Sequence, residues 1–150
     1  MPTTTLKFKQ AGILIGDGGD PETFAPACLL NSTKGIQLSA TFSENSVPDC
    51  DDDDVPAEIL RYAESISLAI NGSGKLHQDD QLSWMQWLAS GQPKNVQVRL
   101  GTAGAPGAVQ ISTQIVLTDF SINGQSKQLL EADVSLASHG FKASDIAAYT

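Results

Sequence analysis

Cations, thiols and aromatic rings are all scarce in this chain. Nine Lys and Arg stand against 17 Asp and Glu in 150 residues, giving a formal net charge of −8 and a pI near 4.4. A general nucleic-acid binder needs clustered cations to displace counterions from phosphates, so the composition argues against that class. Cys28 and Cys50 are too few for a disulfide framework and read as reduced thiols. Aromatic residues make up 6% of the chain, which leaves little material for a sugar-binding platform of exposed rings. No run approaches the roughly 18 apolar residues of a membrane span, and no charged-then-apolar leader opens the sequence. The expectation is a soluble chain, made in the cytoplasm, with no membrane partner.

Catalytic and cofactor patterns are missing as well. His77 and His139 are the only candidate bases near neutral pH, and neither neighbours a nucleophile-elbow Ser or a Cys in sequence. Cys28, Cys50, His77 and His139 are separated by 22, 27 and 62 residues, which matches no zinc-finger spacing. The glycines at 16–19 are followed by Pro21 and a strand, whereas a dinucleotide fingerprint opens a helix. Asn71-Gly72-Ser73-Gly74-Lys75 has Ala69 and Leu76 where a phosphate-binding loop needs Gly and Ser or Thr. It reads as a turn. No enzyme, metal or cofactor is expected.

What the chain does have is acid in one place. Residues 47–57, VPDCDDDDVPA, carry Asp49, Asp51, Asp52, Asp53 and Asp54 between two prolines. Such carboxylates repel one another and favour neither helix nor strand, so they belong on a solvated loop or an interface. Asp49, Asp51 and Asp53 have the spacing of the first calcium ligands of an EF-hand. The pattern then fails at Asp54, where Gly is required, and at Leu60, where Glu is required. The stretch is therefore an acidic loop, at about 44–57, within a single domain spanning residues 1–150.

Around this loop the sequence alternates apolar and polar residues at the strand period of two. Leu6 and Phe8 begin a first strand that continues through Ile13 and Ile15 to a Gly-rich turn at 16–22. Phe24, Cys28 and Leu30 form a Pro-interrupted run that reads as an edge strand. Ile36, Leu38, Ala40 and Phe42 share one face of a strand at 35–43, and Ile66, Leu68 and Ile70 share a face of the next. Val96, Val98 and Leu100 mark another. In 108–122 the apolar residues change phase near Val116 and Leu117, which predicts a bulge or strong twist, or a strand so long that its two ends bury opposite faces. A last strand at 128–137 places Leu130, Ala132, Val134 and Leu136 on one face, joined to its predecessor by a five-residue loop that sets Phe120 opposite Leu130.

One helix, 79–90, starts at an Asp79 or Asp80 cap and stops at Gly91-Gln92-Pro93. Leu82, Met85 and Ala89 form one stripe and Trp84, Trp87 and Leu88 another, more apolar cover than a surface helix needs. Trp84, Trp87 and Leu88 are the candidates for helix packing or a subunit interface. The fold class is mainly β, with one packed α-helix.

In order along the chain, GDGGDPETF, TFSENSVPDCDDDDVPA, NGSG, WMQWLASG and a final hairpin ending VSLASHG resemble the major tail tube proteins of long-tailed bacteriophages and related prophage or gene-transfer particles. The likeness spans roughly residues 12–140. The chain differs from that pattern in a helix with few basic residues and a longer C-terminal ending, FKASDIAAYT. The resemblance implies a β-sandwich or barrel with one packed α-helix, assembled as hexameric rings that stack into a hollow tube, an architecture shared with the type VI secretion tube protein. It implies a virion tail location, assembly in the host cytoplasm, and a conduit through which DNA passes without specific binding. Its partners would be other copies of itself, the tape-measure protein, the tail terminator and distal tail proteins. Gln110, Ser112, Gln114, Glu131, Asp133 and Ser135, uncharged or acidic throughout, are the lumen candidates; the five aspartates are the inter-ring candidates. The competing class is a monomeric β-sandwich binding module for carbohydrate or receptor on a virion or secreted protein.

Overall fold

Alternation along the chain becomes, among the described residues, eight antiparallel strands in one sheet, with a single α-helix. The computed structural model describes residues 5–19, 21–27, 29–48, 50–51 and 54–150. The elements are β1 (Ala11–Gly16), β2 (Phe24–Pro26), β3 (Thr33–Val47), β4 (Glu58–Lys75), α1 (Gln78–Ser90), β5 (Lys94–Leu100), β6 (Val109–Asn123), β7 (Glu131–His139) and β8 (Ile146–Ala148). The strand order is β2-β1-β5-β6-β7-β4-β3, and β8 also pairs with β6. Strands β7 and β8 follow one another along the same side of β6, meeting its residues 114–123 and 109–111.

One face of the sheet is apolar and holds the core. Ile13, Leu68, Ile70, Val98, Ile115 and Leu136 are each at most 3% exposed, and Leu29 and Leu30 pack into the same cluster. The sheet curls far enough for a side chain of edge strand β3 to reach β1, next to the other edge: Lys34 Nζ donates to the Ala11 carbonyl at 2.6 Å. The short, Pro-ended β2 lies at the other edge, as its sequence requires.

The phase change in β6 is a bulge. Leu117 pairs with Leu136 and Asp119 with Ser135, leaving Thr118 without a ladder partner. The inserted residue lets odd-numbered Ile111, Ile115 and Leu117 and even-numbered Phe120 face the same core. A second irregularity, between Thr41 and Phe42, lies in the β3–β4 pair.

Several expectations are corrected. Leu6 and Phe8 are exposed and precede β1, with Phe8 in a 3-10 turn, because strand pairing starts at Ala11 opposite Leu100. Cys28 lies outside the described residues. NGSG is not a turn: β4 runs straight through it to Lys75, paired with β3 on one side and β7 on the other. A Cβ on Gly72 would lie 2.6 Å from the Thr33 carbonyl oxygen, and one on Gly74 would collide with that of Leu29. These glycines admit a close crossing by residues 29–33. The strands bounding the acidic stretch reach Val47 and restart at Glu58, so 44–47 is strand and the connection is 48–57. The β6–β7 connection spans 124–130 and sets Phe120 opposite Val134, not Leu130, which lies before the strand. His77, without a side-chain bond, occupies the N-cap of α1; Asp79 and Asp80 sit in the first turn, where the helix dipole favours them. Gly91 ends the helix in the left-handed conformation, φ 67°.

Candidate assembly surfaces

The face of β6, β7, β4 and β3 turned away from the core is polar, and the register aligns it in rows. Ser121, Asp133, Ser73 and Thr33 lie side by side across four strands; Asp119, Ser135, Asn71 and Gly35 form the next row. Asn123, Glu131 and Lys75 form a third. Short polar side chains bond within and between the rows: Thr33 and Ser73 hydroxyls lie 2.7 Å apart in one row, and Asn123 Nδ2 donates across to Asp133 Oδ2 at 3.3 Å. Asp119, Glu131 and Asp133 against Lys75 leave this wall acidic.

Glu131, Asp133 and Ser135 are therefore brought together, as their alternation suggested. Gln110, Ser112 and Gln114 are not beside them. They lie further along β6, opposite Arg99, Gln97 and Asn95 of β5. The rest of the wall, on β3 and β4, escaped a reading of single strands because only the pairing register reveals which residues share a row.

Before Ala69, β4 is flanked by β3 alone, so the distal parts of both strands form a two-stranded arm. Arm residues are largely exposed, including Leu38, Phe42, Val47, Ile59 and Tyr62. Its one ion pair among the described residues joins Arg61 Nε to Glu44 Oε1 at 2.9 Å, both side chains well exposed. Such a pair contributes about 0–1 kcal/mol. The acidic stretch caps the arm. Asp51 and Asp54 are exposed there, as is the Cys50 thiol; Asp49, Asp52 and Asp53 lie outside the described residues.

Helix α1 turns its tryptophans inward. Trp84 is 8% and Trp87 4% exposed, their rings 5.5 Å apart, and Trp84 stacks on Phe120 at 6.4 Å. Trp87 Nε1 donates to the Gln92 carbonyl at 2.7 Å, and the Lys94 ammonium lies 5.0 Å from its ring centre. Both rings serve the subunit core, and neither is available as a sugar platform. Leu88 and the other stripe, Leu82 and Met85, are the exposed part of the helix.

His77 follows the end of β4, whose Lys75 pairs with the first residue of β7, whereas His139 is the last residue of β7. The two imidazoles are thus at opposite ends of that strand. Among the described residues no group of three or more His, Cys, Asp or Glu is placed to hold a metal ion.

Comparison with known proteins places this arrangement. A profile described as phage tail tube protein matches residues 5–142. No curated protein matches. A chain from the tail of an empty gene transfer agent particle with C6 symmetry superposes with a TM-score of 0.67 at 20% identity, covering 93% of this chain and 100% of that one. The SPP1 tail tube gives 0.59 at 12% identity, over 91% of this chain and 77% of that one. A chain of the six-fold symmetrised anti-feeding prophage baseplate gives 0.62 at 11% identity, over 100% and 99%. The chain belongs to the phage tail tube protein family, and is a structural protein of the tail and not an enzyme.

Proposed function

We propose that this protein forms six-membered rings that stack into a hollow tail tube, through which DNA leaves the particle. The observation that carries the reading is the acidic, hydroxyl-rich wall, whose two flanking edges have no strand partner among the described residues. Strand β3 ends the sheet order, and past Ile115 none of the described strands pairs with β6 on its β5 side. Open edges of this length demand partners, and closure of a ring supplies them by joining each wall to the next. A wall whose charged residues are Asp119, Glu131 and Asp133 against the single Lys75 is net negative and repels phosphates, so DNA would slide past it. Assembly would take place in the host cytoplasm around a tape-measure protein, ended by terminator and distal tail proteins.

Electron microscopy of the purified protein at rising concentration tests the reading. Hollow tubes with six-fold rings are the expected result. A protein that stays monomeric at high concentration, even when supplied with a preassembled tail tip, would overturn it.

A further inference from the structure

A groove beside β1 concentrates cations in an otherwise acidic molecule. Lys9, Ala11, Lys34, Arg99, Thr102 and Tyr149 line it, and among the described residues no Asp or Glu does. That is unexpected in a chain with 17 acidic and nine basic residues. Among the described residues none of these cations forms an ion pair; their partners are neutral. Lys34 Nζ donates to the Ala11 carbonyl at 2.6 Å and lies 4.5 Å from the Phe8 ring centre. Arg99 Nη2 donates to Gln97 Oε1 at 2.6 Å, and its guanidinium lies 5.3 Å from the Tyr149 ring centre. Arg99 Nε is buried without an acceptor. Burial holds the Lys34 ammonium below the usual lysine range, with no carboxylate offsetting that desolvation. The groove thus gathers three cations that no described carboxylate of the subunit offsets.

We propose that this groove is the socket for the acidic turn, residues 48–57, of a second copy of the chain. The turn is the densest negative charge in the sequence. It cannot reach the groove of its own subunit. Lys34 lies at the base of β3, and the ribbon stays paired from there to Val47 opposite Glu58. That length of strand, at about 3.4 Å per residue, holds the turn about 44 Å away. Acid therefore sits at one pole of the subunit and its complement at the other. A contact between unlike poles does not close on itself and propagates as a filament. Within the tube reading, on which the direction of stacking rests, it is the joint between rings. Val47 and Val55, exposed at the two ends of the turn, would meet the apolar part of the groove at Ala11, Pro26 and Ala27.

Cys50, exposed within the turn, makes the contact testable directly. In a Cys28→Ser background, Thr102→Cys should give a ladder of disulfide-linked chains when assembled protein is treated with copper phenanthroline. Cys50→Ser should abolish the ladder. Independently, Lys9→Glu with Arg99→Gln, or Asp51→Lys with Asp54→Lys, should each raise the concentration needed for tubes at least tenfold. Combining Lys9→Glu with Asp51→Lys should recover much of that loss. Tubes without a ladder, or tubes at the unaltered concentration from both reversed variants, overturn the socket while leaving the tube reading intact. A ladder in protein that forms no hexameric tubes supports the socket and removes the tube reading. Retention of a short DNA duplex or inorganic phosphate by the groove, unaffected by added protein bearing an intact turn, would also overturn the socket.

Discussion

Asp17 organises the Gly-rich turn after β1 through its charge. Its Oδ1 accepts from the backbone N–H of Gly19 at 2.8 Å and of Thr23 at 3.1 Å, while Gly18 takes φ 78°, a conformation that suits glycine. Those two bonds, Gly19 first, hold the carboxyl below the ordinary value of 3.8. The folded state therefore binds this proton less readily than the unfolded chain does. The resulting stability is fully present above the ordinary value and disappears as pH falls through the lowered one. Asp17→Asn should consequently melt below the unaltered protein at neutral pH, with the difference in melting temperature closing in acid. A constant gap across that range would show that the turn depends on shape alone. The buried tryptophans make the opposite kind of contribution, through packing. Trp84→Ala and Trp87→Ala should each cost about 3–5 kcal/mol in denaturant unfolding. A small loss in both would mean that the rings are not core. The residue scale was partly legible in the sequence: spacing made the helix obvious, but two apolar stripes gave no sign of which one faces inward. Contact with Phe120 decides that, and Phe120 is distant in sequence.

At the scale of elements, the bulge in β6 was readable because it changes the phase of the apolar pattern within one strand. Its function predicts an unusual tolerance. Removing Thr118 restores simple alternation, with Leu117 and Phe120 still inward, so the deletion should fold with a small loss of stability. Removing Thr113, in the regular part of the strand, should turn buried Ile111 outward and forfeit about 1.5–3 kcal/mol for that side chain alone. Soluble yield and denaturant melts of the two deletions provide the comparison, and equal damage would deny the bulge its role. NGSG misled because glycine in sequence looks the same whether it permits a turn or admits another backbone. Here the reason is the passage of residues 29–33 over β4, a non-local event. Loop length was misjudged for a related reason. Face matching constrains the parity of the β6–β7 pairing, and both a five-residue loop and the 124–130 connection satisfy it.

For the whole molecule, the polar wall follows from alternation in each strand, whereas its continuity follows from register, which the sequence does not display. Glu131 and Asp133 were recognisable as outward residues; their neighbours Thr33, Ser73 and Ser121 were not. If the wall lines a DNA conduit, Glu131→Lys with Asp133→Lys should leave tail length normal and lower infectivity or gene transfer, because phosphates would dwell on it. Unchanged transfer by particles with intact tails would count against the wall's role. The arm carries a different consequence. A two-stranded ribbon with little core behind it is marginal by itself in water. Its Leu38, Phe42, Val47, Ile59 and Tyr62 are exposed in the subunit, and contact with another subunit would bury them. Burial of such groups near room temperature is driven by entropy and weakens on cooling. Polymerisation should therefore be cold-labile: tubes chilled on ice should shed sedimentable mass and regain it on warming, and temperature becomes a handle on tail growth that leaves the folded subunit untouched.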